Sequence, residues 1–67
     1  MDKALIEAQG VALALVAAML QRGGIVKAEE FGQLLALTAV TTAETDPAQG
    51  DILGVWAAIV KDSAARH

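Results

Sequence analysis

The sequence predicts an all-α fold, a small three-helix domain filling residues 1–67, and three observations carry that reading. From Gly10 to Leu20 the chain holds no polar side chain, glycine pairs and the single proline cut the remainder into helix-length pieces, and each piece repeats its apolar residues at helical spacing. Helices are expected at about residues 2–22, 28–44 and 47–65.

The first helix is built from strong helix formers between Asp2 and Arg22 and ends at Gly23-Gly24, where glycine can adopt the left-handed conformation that stops a helix. The second begins at Ile25-Val26-Lys27-Ala28-Glu29-Glu30-Phe31. Lys27 takes the N-cap slot, Glu30 falls where a capping box places its acid, and Val26 and Phe31 stand at hydrophobic-staple positions. Lysine cannot accept the backbone N–H bonds that a cap normally takes up, although Glu29 and Glu30 complement the positive end of the helix dipole. The third helix is announced by Asp46-Pro47-Ala48-Gln49, with Asp46 as N-cap, Pro47 at the first helical position and Gln49 closing the box. Gly50 and Gly54 weaken its first turns by up to about 1 kcal/mol each relative to alanine, so Asp51 is an alternative start.

Projection at 100° per residue shows what each helix must bury. On helix 1, Leu5, Ile6, Val11, Leu13, Leu15, Val16, Met19 and Leu20 spread over roughly 220°, about double the stripe of an ordinary surface helix. One hairpin partner cannot cover that arc. If Ile6, Leu13 and Leu20 pack on helices 2 and 3, then Val11, Leu15 and Met19 require cover from outside the chain. Gly10, Ala14 and Ala18 have a small-x-x-x-small spacing that admits a close helix, but the plainer expectation is a solvent-facing strip. On helix 2, Phe31, Leu34 and Leu35 share a face with Thr38, Thr41 and Thr42, whose hydroxyls are expected to point coreward and bond back to carbonyls one turn earlier. Val40 lies opposite, a candidate interface residue only if it joins a patch. Helix 3 carries Ile52, Trp56, Ile59 and Val60 in one stripe, with Trp56 as core anchor or, alternatively, interface anchor.

Composition excludes several classes of function. A chain of 67 residues buries only about 60% of its unfolded surface, and such small domains lean on disulfides, a metal or oligomerisation. Cysteine is absent and the single histidine is the end residue His67, expected to be unstructured, so no disulfide or thiolate metal site is possible and no cofactor or metal is expected. Five basic residues are scattered along a chain of net charge −3, with one Phe, one Trp and no Tyr, which supplies neither a phosphate-tracking stripe nor a base-stacking platform. Glu44, Asp46 and Asp51 gather acid around a turn but miss the spacing of a calcium loop. Ser63 has no histidine or lysine arrangement that would activate it, apart from its sequence neighbours on an exposed helix end. The apolar run falls short of the roughly 18–20 residues that span a bilayer, Glu7 and Gln9 block its extension, and no signal peptide is evident, so a cytoplasmic protein without a membrane span is expected.

The sequence therefore leads to a non-catalytic helical protein that self-associates, as a dimer or higher oligomer, through Val11, Leu15 and Met19. The alternative is a small acidic regulator that docks an apolar helix face on a different protein.

Overall fold

The computed structural model describes residues 2–66, so the expectation for His67 lies outside the described residues. Three helices follow in order, α1 (Lys3–Arg22), α2 (Ala28–Ala43) and α3 (Pro47–Ala65). Their ends are chemical. Asp2 is the N-cap of α1 rather than its first residue, its carboxylate accepting from Ala4 N–H at 3.0 Å. At the other end Gly24 stands at φ 74°, while Ile25 N–H donates to the Leu20 carbonyl and Gly24 N–H to that of Gln21, which is a Schellman closure. Asp46 caps α3 by accepting from Gln49 N–H at 3.1 Å, and the helix starts at Pro47, not at Asp51. Gln49 does not close a box there, because Asp46 N–H is already given to the Thr42 carbonyl.

Lys27 occupies the N-cap of α2 and makes no side-chain cap bond, nor does Glu30 complete a box. One acceptor comes from the preceding helix: the Gln21 side-chain oxygen takes the Ala28 N–H at 2.8 Å.

Helix α3 lies between the other two, which barely meet each other. It runs parallel to α1, with Gly10 against Ile59 and the Trp56 indole N–H donating to the Ile6 carbonyl at 2.8 Å. It runs antiparallel to α2, with Gly32 against Val60 and Lys61, and Gly50 against Ala43. The result is a shallow slab of 33 × 24 × 16 Å.

The core is made of small residues. Ala14, Ala17, Ala28, Ala39, Ala57 and Val60 are the buried apolar side chains, Gly10, Gly32 and Gly50 are buried beside them, and Val60 is the largest side chain fully enclosed. The expected solvent strip of Gly10, Ala14 and Ala18 is thus overturned: Gly10 and Ala14 are buried and Ala18 is half-buried, because their small side chains let α3 approach the α1 backbone. Likewise, Gly50 is no mere weakness of α3. A Cβ there would lie 2.5 Å from Ala43 Cβ and 2.7 Å from its Cα, so the α2–α3 crossing needs the glycine. Gly54 has no atom within 4 Å of such a Cβ and fits the plain reading of a weakened turn.

Helix α2 is rotated from its expected orientation. Its packing face is Ala28, Gly32, Leu35 and Ala39, whereas Leu34, Thr38 and Thr41 are exposed. Of the three threonines two bond back, Thr38 to the Leu34 carbonyl at 2.8 Å and Thr41 to that of Leu37 at 3.1 Å, but on the outside of the molecule, whereas Thr42 is half-buried. Close helix approach through Gly32 and Ala39 fixes the rotation and leaves Leu34, Leu37 and Val40 facing out, while Phe31 and Leu35 stay half-buried against the core as expected.

Candidate interaction surface

What the small-residue core displaces is a row of large apolar side chains. Val11, Leu15 and Met19 are 60%, 62% and 65% exposed, and Leu5 and Val16 are about half exposed. Between Ala4 and Met19 the outward arc of α1 carries Ala4, Leu5, Ala8, Val11, Ala12, Leu15, Val16 and Met19, with no polar residue among them. Glu7 and Gln9 border it, and Arg22 closes its C-terminal end. Ile6, Leu13 and Leu20, on the other side of the helix, are half-buried, and Leu13 packs against the core. The division of helix 1 into an inward and an outward apolar group is therefore present, although the centre of the inward group is Gly10, Ala14 and Ala17 rather than the large residues.

The outward side of α2 differs in kind. Leu34, Leu37 and Val40 are each at least 60% exposed, so Val40 does join a small patch. That patch is broken by Glu30, Gln33, Thr41 and Glu44 on the same side of the helix.

Trp56 is half-buried. Its indole N–H ties α3 to α1 through Ile6, while its ring lines an open groove of about 220 Å³ with Gln49, Ile52 and Leu53. It is both a tertiary anchor and a partly accessible surface, a dual position that neither sequence alternative alone described. A second cleft of about 200 Å³, between Ala14, Ala28 and Val60, has Gln21 and Ser63 at its rim.

Charge is sparse and peripheral. Among the described residues no polar or charged side chain is buried, and the two ion pairs, Lys3–Glu7 at 3.9 Å and Asp62–Arg66 at 3.0 Å, are exposed pairs within single helices. Such pairs contribute at most a few tenths of a kcal/mol. Asp46 is committed to its cap, and no group of three or more acidic or histidine side chains converges among the described residues. Ser63 is half-buried, and the ionisable groups nearest it in sequence, Lys61 and Asp62, are exposed, with Asp62 paired to Arg66.

Helix α1 has the length and apolarity to cross a bilayer, a property that an N-terminal core helix shares, and only 17% of its most apolar window is buried. The chain matches no protein-family profile, no curated protein and no solved structure.

Proposed function

We propose that the chain is a self-associating helical protein with no chemistry of its own, whose fold is completed when the outward face of α1 meets another copy. The observation that carries this reading is the unbroken apolar arc around Val11, Leu15 and Met19. Two magnitudes support it. The chain exposes 4652 Å², against about 4000 Å² for a compact monomer of this mass. Covering an apolar side chain is worth about 1.5–3 kcal/mol, so Val11, Leu15 and Met19, each some three-fifths exposed, contribute about 6–10 kcal/mol in all from two copies. Micromolar affinity needs about 8 kcal/mol net of a comparable association cost. Those side chains alone fall short, and the arc must be used along its length, Leu5 and Val16 included.

The test is mass by light scattering and melting at several protein concentrations. The wild type is expected to be at least a dimer at micromolar concentration, with a melting temperature that rises with concentration. Leu15→Glu, which sets an unpaired charge in the contact, should give monomers. A well-folded wild-type monomer, or a Leu15→Glu protein of unchanged mass, would refute the proposal.

A second reading, a small acidic regulator docking on a different protein, is favoured by the apolar groove beside Trp56, which is open to a side chain from a partner. On that reading the protein purified alone is monomeric, and Trp56→Phe lowers affinity for the partner.

A further inference from the structure

The spacing along the outward arc says more than that it is apolar. Leu5, Ala8, Ala12, Leu15 and Met19 follow one another at alternating steps of three and four, which is the seam of a coiled coil, and they fall within about 80° of one another. On the opposite side, Gly10 and Ala17 recur with the same seven-residue period and are the residues most deeply set against α3. One repeat therefore governs both sides of the helix: small residues inward, the seam outward.

Volumes along the seam are unequal. Its centre is small, Ala8 and Ala12, and its C-terminal part is large, Leu15 and Met19. A parallel pair in register would set Ala8 on Ala8 and Ala12 on Ala12, leaving gaps beside the full layers of Leu15 on Leu15 and Met19 on Met19. An antiparallel pair instead can place Leu15 of one copy over Ala12 of the other and Met19 over Ala8, so that each of these four layers joins one large side chain to one small one, while the end layers lay Leu5 along the stem of Arg22, the next residue of the seam. Interdigitation of that kind fills a contact at interior density and lets the helices approach closely.

Charge agrees with the same alignment. Arg22 has no ion-pair partner in its own chain among the described residues, and the antiparallel alignment brings it within about 3 Å, along the helix axis, of the level of Glu7 in the second copy. Glu7 lies on the same flank of the seam, and its side chain is 54% exposed and held only by the long contact to Lys3. In a parallel pair the two groups stand about 22 Å apart.

We infer that the second copy docks on α1 as an antiparallel two-fold partner, with Leu15 and Met19 of each chain seated over Ala12 and Ala8 of the other, a contact that rests on the self-association proposed above. Two-fold symmetry makes the face its own complement and closes the assembly at a dimer.

The chain has no cysteine, so a Lys3→Cys protein accepts one spin label per copy, and dipolar spectroscopy reads the distance between them. The antiparallel pair places the labels about 30 Å apart along the axis, a parallel pair about 10–20 Å apart. A second variant reads packing without a label: Ala12→Leu, at a site exposed in the single chain, sets leucine on leucine in the antiparallel pair and should weaken dimerisation about tenfold or more, with Ala12→Leu/Leu15→Ala restoring it. In a parallel pair the same Ala12→Leu fills a gap and tightens the dimer.

A dimer with a long label distance, weakened by Ala12→Leu, supports the inference. A dimer with a short distance, or one tightened by Ala12→Leu, overturns the orientation and leaves self-association standing. A monomer overturns both. Binding of single chains to neutral phosphatidylcholine vesicles would assign the arc to lipid and overturn both as well.

Discussion

Helices α1 and α2 flank the same central helix and both meet it through small residues, yet they turn opposite characters to the outside. Inward, both use residues with little or no side chain, Gly10, Ala14 and Ala17 on one and Ala28, Gly32 and Ala39 on the other. Outward, α1 is apolar from Ala4 to Met19, while α2 interrupts Leu34, Leu37 and Val40 with acids, an amide and hydroxyls. Inward composition and outward composition are thus independent variables. The first is set by how near α3 must come, because dispersion forces act only between atoms in contact and a small residue lets whole backbones touch. The second is set by what lies beyond, water for the mixed face of α2 and, on the function proposed above, a second copy for α1.

The attachments also differ, and the largest expected effect exploits that difference. Helix α1 is held by a long-range hydrogen bond from Trp56 to Ile6, with the ring of Trp56 beside Gly10, whereas α2 is held by backbone approach. Trp56→Ala should cost about 3 kcal/mol. Because that loss falls on the α1–α3 contact, amide hydrogen exchange should accelerate in α1 well before it does in α2. Equal acceleration in both would mean that the slab behaves as a single cooperative unit and that the contrast in attachment has no energetic content.

A smaller effect probes the other side. Gly50→Ala brings its Cβ against Ala43 backbone and Cβ, atoms that cannot swing aside, and should destabilise by about 2 kcal/mol despite the better helix propensity of alanine. Gly54→Ala, with nothing near it, should stabilise by up to about 1 kcal/mol. Denaturant titration of the pair reads both signs. If the two substitutions behave alike, the close approach of α2 to α3 at Ala43 is not maintained in solution.

The smallest effect concerns the junction between the two flanking helices. Gln21 satisfies the first free N–H of α2, at Ala28, but not those of Glu29 and Glu30, which a cap at residue 27 would reach. Lys27→Asp should therefore raise stability by about 0.5–1 kcal/mol. Thermal melts at fixed protein concentration check it, and an unchanged midpoint would mean that the Gln21 oxygen already suffices.

Helix number and boundaries were legible because their signals are local: Gly23-Gly24, Asp46-Pro47 and the lengths between them dictate where the chain can and cannot stay helical. The core was not, and for one physical reason. Periodicity reading assigns burial to large apolar residues, since they gain most from leaving water, and so placed Leu34 and the threonine face of α2 inside and Gly10 and Ala14 outside. Here the gain comes instead from proximity. A glycine or alanine recurs at steps of three, four or seven on all three helices, at Gly10-Ala14-Ala17, Ala28-Gly32-Ala39 and Gly50-Ala57, and weighting that recurrence above bulk would have found the packing faces. The outward face of α1 was legible through Val11, Leu15 and Met19 because its excess over one hairpin's capacity is a matter of counting. Its seven-residue seam was hidden because two of its members, Ala8 and Ala12, are small enough to pass for spacers. The bond from Ala28 N–H to the Gln21 side chain had no sequence signal, since a glutamine seven residues ahead of a helix start matches no local capping pattern.

That bond also ties the fate of one helix end to another. Starting a helix is its costly step, because the first turn fixes several residues for a single hydrogen bond. The acceptor for the first N–H of α2 stands on the last turn of α1, so the start of α2 depends on α1 as well as on its own sequence. Gln21 leaves the N–H groups of Glu29 and Glu30 to water, and the lysine at residue 27 takes up neither. Fraying of the last turn of α1 therefore removes a partner from the first turn of α2, and the two ends loosen together.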